Sequence, residues 1–265
     1  MLKKDQAKIK SQEEKLQEQL EMYQKTLEEI LEGPIQCENI DKKIEIFKNK
    51  MEETFDKEDL KNMNENLKTL KIHICKPYLS KILQYFTGAK GYYLPKNNRI
   101  VLHEESDIIY HESLHLSCNN RKNEEDIIGF DRYTNKDKKI LFFGKGLNEI
   151  YTEILANRLF DKEIEIITNK TVELVLLLEQ LIDDLPSLYL NSDLYELVIK
   201  LSEYTSINES LEFIYNIDRL FEIEIKNNIR KQDKEKYKEI YIKTLSFLKQ
   251  YKFKKENQAQ KKKTK

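Results

Sequence analysis

Apolar positions recur at every third or fourth residue through most of this chain, and the stretches that break the rhythm are short. Residues 5–32 keep it at Ile9, Leu16, Leu20, Tyr23, Leu27 and Ile30, with Glu13 in one seam position. That is about three heptads, read as a coiled-coil arm or a helix docked on the body, and Gly33-Pro34 stops it. A second helical stretch, 39–70, places Ile44, Phe47, Met51 and Phe55 on one face, and a third, Tyr78–Thr87, ends at Gly88. Beyond residue 160 the pattern is helical throughout, at Thr171–Leu185, Ser192–Tyr204, Asn208–Lys226 and Gln232–Tyr251. Pro186, Thr205-Ser206 and Asn227-Asn228 punctuate it. From about residue 254 apolar residues almost vanish, and the lysine-rich tail is expected to be disordered.

Two places carry a different rhythm. Gly91-Tyr92-Tyr93-Leu94 and Arg99–His103 flank Pro95-Lys96-Asn97-Asn98, which reads as a hairpin. Ile127–Tyr133 and Lys139–Phe143 flank the polar turn Thr134-Asn135-Lys136-Asp137, a second hairpin that either overhangs a cleft or is a surface excursion. Gly144 and Gly146 then release the chain into a helix over 147–160. The expected fold class is α+β, predominantly helical, with a small antiparallel β-hairpin or sheet beside one central helix. Its expected parts are a helical arm over 1–33, a main domain over 34–253 and the tail over 254–265.

Composition narrows this little. The 46 basic and 47 acidic residues nearly cancel, to a formal net charge of −1, and nothing in that balance suggests nucleic acid. Cys37, Cys75 and Cys118 have no framework spacing and are read as free thiols of a reducing compartment. Cys118, three residues after a histidine, is expected to pack beneath its helix rather than meet a ligand. No leader-like segment and no bilayer-length apolar run is seen, so the expected location is the cytoplasm, with no membrane partner. Fifteen tyrosines and no tryptophan leave much of the aromatic packing to tyrosine.

The decisive chemistry lies in Tyr110-His111-Glu112-Ser113-Leu114-His115, followed by Gly146-Leu147-Asn148-Glu149-Ile150-Tyr151-Thr152-Glu153. On a helix, the i and i+4 spacing of His111 and His115 stacks both imidazoles on one face, where they can share one zinc ion. Glu112 sits where a general base would reach a water on the open side of that metal, and Glu149 offers a carboxylate as third ligand. With only four histidines in the chain, chance is a weak competitor. Ser106 with Asp107 supplies an N-cap and a first-turn carboxylate for a helix starting near 107, and Ile108, Ile109, Leu114 and Leu116 give it an apolar face. His73 and His103 are read as structural polar residues.

H-E-x-x-H followed by a helical Asn-Glu-x-x-Thr-Glu resembles the gluzincins, the thermolysin-like clan of zinc metallopeptidases. The resemblance covers roughly residues 98–160. It implies that His111, His115 and Glu149 bind zinc, that Glu112 activates the water, and that Glu153 accepts the Nδ1–H of a ligand histidine, His111, with Asn148 also behind the ligands. It also implies that the helical second half forms the lower wall of the cleft. From His115 to Glu149 is 34 positions, longer than in the thermolysin type, so an inserted segment must be accommodated. Tyr133 and Tyr151 are the candidates for stabilising an oxyanion.

Two other readings stand beside this one. Glu153-Ile154-Leu155-Ala156-Asn157 also resembles the helix of immunity-type metalloproteases that cut repressors, a register in which Glu153 is the ligand and Glu149 stands behind. The third reading is a helical interaction protein with a structural zinc. The implied partners are a peptide or protein substrate and, through 5–32, a second copy of the chain.

Overall fold

The computed structural model describes residues 37–74, 90–103, 106–120, 127–136, 139–161, 169–225 and 231–263. The arm over 5–32, with its self-association, and the helix expected at 78–87 lie outside the described residues. What is described is a mostly helical α+β fold with a small sheet. Among the described residues no helix is long and apolar enough to cross a membrane.

The stretch expected as one helix over 39–70 is two, α1 (Glu38–Thr54) and α2 (Lys61–Leu67). α1 ends where Phe55 turns to extended backbone while its N–H still bonds the Met51 carbonyl. Its apolar face seats Ile40, Phe47 and Met51 in the core. Strand β1 (Lys71–Ile74) follows and was not foreseen. It pairs in parallel with β3 (Arg99–Leu102), which pairs antiparallel with β2 (Gly91–Leu94), giving the order β1-β3-β2. The hairpin expected between β2 and β3 is present, turned through a single 3-10 turn at Pro95–Asn97 and closed by Asn98 at φ 50.

Helix α3 (Ile108–Ser117) carries the H-E-x-x-H segment. It has no apolar and polar face: Ile109 through Ser117 are all buried. α1 and α2, strands β2 and β3, and the helix over Lys145–Phe160 pack around it. Asp107 stands at the cap with its carboxylate paired to Lys43 at 3.0 Å and not to the helix N–H groups, and the Ser106 hydroxyl caps nothing. After α3, the two-residue strands β4 (Asn119–Asn120) and β5 (Ile127–Ile128) pair antiparallel. The second hairpin is β6 (Arg132–Lys136) with β7 (Lys139–Phe143), which packs on the later helix Ile207–Ile225. Pairing runs out to Lys136 and Lys139, so Thr134, Asn135 and Lys136, expected in the turn, belong to the strand.

α4 (Lys145–Phe160) carries the second motif and packs on α3 and on two later helices. The rest is α5 (Asn169–Leu181), α6 (Leu185–Leu190), α7 (Leu194–Ser202), α8 (Ile207–Ile225) and α9 (Lys231–Lys263). Pro186 does not punctuate; it sits in the first turn of α6, where its missing N–H has no helical partner to lose. Ser206 and Glu209 form a reciprocal capping box at the start of α8. The tail expected to be disordered is helical to Lys263. Its Lys, Glu, Gln and Ala residues extend a helix already nucleated on the core, and Lys255 Nζ reaches the Leu181 carbonyl at 2.7 Å.

An aromatic stack joins the two motif helices. Phe160 at the end of α4 lies 4.2 Å from the Tyr110 ring of α3, nearly parallel, and 5.7 Å from Phe47 of α1. Phe47 is fully buried, so Phe47→Ala removes contacts on all sides. It is expected to cost about 3–5 kcal/mol in urea unfolding. A loss below about 1 kcal/mol would mean that the stack does not hold α1 to the motif helices.

Candidate metal centre

The site forms where α3 and α4 face each other. Four positions apart on α3, His111 and His115 lie about one turn from each other, rings 4.8 Å between centroids. Their Nε2 atoms converge to 3.0 Å. Glu149, in the first turn and a half of α4, brings Oε2 to 3.5 Å from each. Three donors at about 2.0–2.1 Å from a tetrahedral metal sit about 3.3 Å from one another. The observed separations of 3.0, 3.5 and 3.5 Å match that spacing. The three residues therefore form a possible metal-binding triad. Two imidazoles and one carboxylate are donors that suit zinc, and three protein ligands leave a coordination position open.

The residues behind the triad orient it. Glu153, one turn beyond Glu149, accepts from His111 Nδ1 at 2.8 Å. That bond leaves the His111 Nε2 side turned to the triad. Glu153 thus lies on the Nδ1 side of the ring, while Glu149 lies on the Nε2 side. Asn148 stands at the other histidine. Its Oδ1 accepts the Phe130 N–H at 3.0 Å, and its amide nitrogen lies 3.4 Å from His115 Nδ1. Asn157 Nδ2 donates to the Glu153 carbonyl one turn back, at 2.7 Å.

The charge packed into this closed space shifts His111, Glu149 and Glu112. Burial works against a proton on His111, but Glu149, Glu153 and Glu112 outweigh it and raise the ring from 6.5 to about 10. Burial also acts to raise Glu149, yet His115 and His111 overcome it and hold that carboxyl well below its usual range. Glu149 is the exposed member of the triad, with 30 % of its side chain accessible. Glu112 points off the same helix and is 5 % exposed. Burial pushes its carboxyl up, opposed by both imidazoles and by a hydrogen bond from the Tyr93 N–H.

Sequence reasoning missed Asp218, in the middle of α8. Its carboxylate accepts the N–H of Gly144 at 2.7 Å and of Gly146 at 2.8 Å, with Leu147 at 3.4 Å. These are the unpaired donors at the start of α4, so a distant aspartate caps the helix that carries Glu149. Burial pushes Asp218 up to about 6 although the three N–H groups pull it down. The two glycines make the cap possible. Gly144 has φ +83, and a Cβ on Gly146 would stand 2.8 Å from Asp218 Cα. No local signal marks residue 218 as a cap; only the glycine pair hints that something approaches there.

Other expected residues fall elsewhere. Tyr133 lies in β6, and its side chain is outside the described ones. Tyr151 is not a site residue: it is fully buried and gives its hydroxyl to Glu179 at 2.8 Å, beside an Arg158–Glu179 pair. Cys118 is fully buried and its thiol faces the His115 carbonyl at 3.4 Å, away from the triad nitrogens. His73 and His103 are buried and stand apart from the triad.

No protein-family model, curated protein or solved structure matches this chain. The geometry above is therefore the ground for any reading of function.

Metal uptake must displace the proton that His111 holds below about 10. Affinity should rise with pH through the neutral range, by about one log unit per pH unit, in a competition titration against a chelator. A pH-independent affinity would contradict this site. Asp218→Ala leaves buried N–H groups unpaired at the start of α4. It should cost about 1–3 kcal/mol and also weaken metal binding. Stability lost with affinity unchanged would show that the cap does not set the position of Glu149.

Proposed function

We propose that this chain is a zinc-dependent peptidase whose metal is held by His111, His115 and Glu149. The observation that carries the reading is Glu112, a buried carboxylate on the same helix as both histidines and outside the triad itself. A structural zinc site has no use for a further acid left beside its three ligands, whereas hydrolysis needs one as a base. When bound, zinc supplies a Lewis acid that lowers the pKa of water and polarises a carbonyl.

The chain's own groups do the rest. Burial raises the basicity of Glu112, suiting it to accept the proton of the attacking water at its carboxylate and return it to the leaving amine. Glu153 holds the His111 ring by its Nδ1–H, and Asn148 stands beside His115. The peptide as substrate class is supported by the gluzincin-like pairing of H-E-x-x-H with Asn148-Glu149-Ile150-Tyr151-Thr152-Glu153. The partial exposure of Glu149 supports access to the triad from that side.

Glu112→Gln keeps the ligands and removes the base. Zinc content should be unchanged while cleavage of a peptide library falls at least ~100-fold. Cleavage at the wild-type rate would assign the activity to another group. Replacing the two carboxylates of α4 separates their roles. Glu149→Ala should yield protein without zinc, and Glu153→Ala should retain zinc with affinity or activity reduced ~10–100-fold. The reverse outcome would place Glu153 on the metal and favour the immunity-type register.

A further inference from the structure

Behind the site, four polar residues from separate parts of the chain close a ring of hydrogen bonds. The Tyr93 hydroxyl of β2 donates to Asn98 Oδ1 at 2.9 Å, and Asn98 Nδ2 donates to the Asn66 carbonyl at 2.6 Å. Asn66 Nδ2 donates to the Asn119 carbonyl at 2.8 Å, and Asn119 Nδ2 returns to the Tyr93 hydroxyl at 2.8 Å. Asn66 also donates to the Leu116 carbonyl at 2.9 Å, in the last turn of α3. All four residues are buried. A buried phenol needs one partner; this one has a donor on one side and an acceptor on the other, so its ring cannot turn.

The other end of Tyr93 faces the motif. His103 N–H donates to the Lys90 carbonyl at 2.9 Å, which makes 90 and 103 a bonded pair of the β2–β3 ladder. Alternation then bonds 92 with 101 and 94 with 99, and turns the N–H of Tyr93 away from β3. β2 packs against α3, and the Tyr93 main chain is a hydrogen-bond partner of the Glu112 carboxylate.

We propose that Tyr93 is a positioning residue for Glu112. Its main chain holds the carboxylate inside α3, and its hydroxyl is locked to Asn119, just past the end of the same helix. One residue thus spans α3 from the motif to its exit, and the asparagine ring keeps β2 at a fixed separation from it. The inference rests on the reading of Glu112 as general base. Such a base must lie within about 2.6–3.2 Å of the proton it takes, and small misplacements cost large factors in rate.

Tyr93→Phe tests this in the full-length, zinc-loaded chain, because it keeps the ring and the N–H and removes only the lock. The expected result is kcat down about 10-fold or more, with KM and zinc content unchanged. Asn119→Ala breaks the same ring from the other side and should give a similar loss, and the double variant no further loss. A second readout needs no activity. In nitrogen-15 NMR the amide proton of residue 93 should shift in Glu112→Gln and exchange faster in Tyr93→Phe, while amides of α8 keep their rates. Unchanged kcat in both single variants, or an amide at 93 that ignores both substitutions, overturns the proposal. A wild-type chain with no hydrolytic activity overturns the general-base reading instead, and the NMR result separates that failure from a broken Tyr93–Glu112 contact.

Discussion

Two imidazoles and three carboxylates crowd together between α3 and α4, and such a group is unstable unless something positive lies among it. His111 and His115 bring lone-pair nitrogens to 3.0 Å, and Glu149, Glu153 and Glu112 add negative charge in a region from which water is mostly excluded. A proton on His111 relieves part of this, which is why that ring is raised to about 10. A divalent cation relieves more of it, because it meets three donors at once at separations that suit tetrahedral coordination. The rest of the structure is the means of holding that arrangement together.

Each wall of the site is fixed by a different kind of force. Burial of α3 on every side leaves the motif residues no room to reorient. The Phe47–Phe160–Tyr110 stack joins the two motif helices through dispersion and apolar burial. The start of α4 is held electrostatically, by Asp218 collecting three N–H groups across 72 residues of sequence to Gly146. The strand side is held by directional bonds through Tyr93 and its three asparagines. Removing charge, packing or hydrogen bonds should therefore disturb the site in distinguishable ways.

Local patterns were the legible part. The H-E-x-x-H helix, the β2–β3 hairpin around Pro95–Asn98 and the long helices of the second half all follow from spacing within one element. Roles set across the fold were not legible. Asp218 sits in an ordinary amphipathic helix, and nothing near it in sequence says that it caps α4. β1 is four residues with no turn signal of its own, and its partner β3 lies beyond a long interval. The break at Phe55 has no glycine or proline, because the chain leaves the helix there to bury Leu60 and Met63. The tail was read from its lack of apolar residues, but helix propensity suffices once a preceding segment is anchored. Tyr151 carries a pattern compatible with the site, and only packing reveals that its hydroxyl belongs to Glu179.

The central claim is that His111, His115 and Glu149 hold one zinc with a position left open. X-ray absorption at the zinc edge of the purified wild-type chain measures this directly. The expected spectrum has two imidazole nitrogens and oxygen neighbours, all at about 2.0–2.2 Å, with no sulfur in the first shell. A thiolate shell at about 2.3 Å, or a chain that takes up no zinc when it is supplied, would contradict the account.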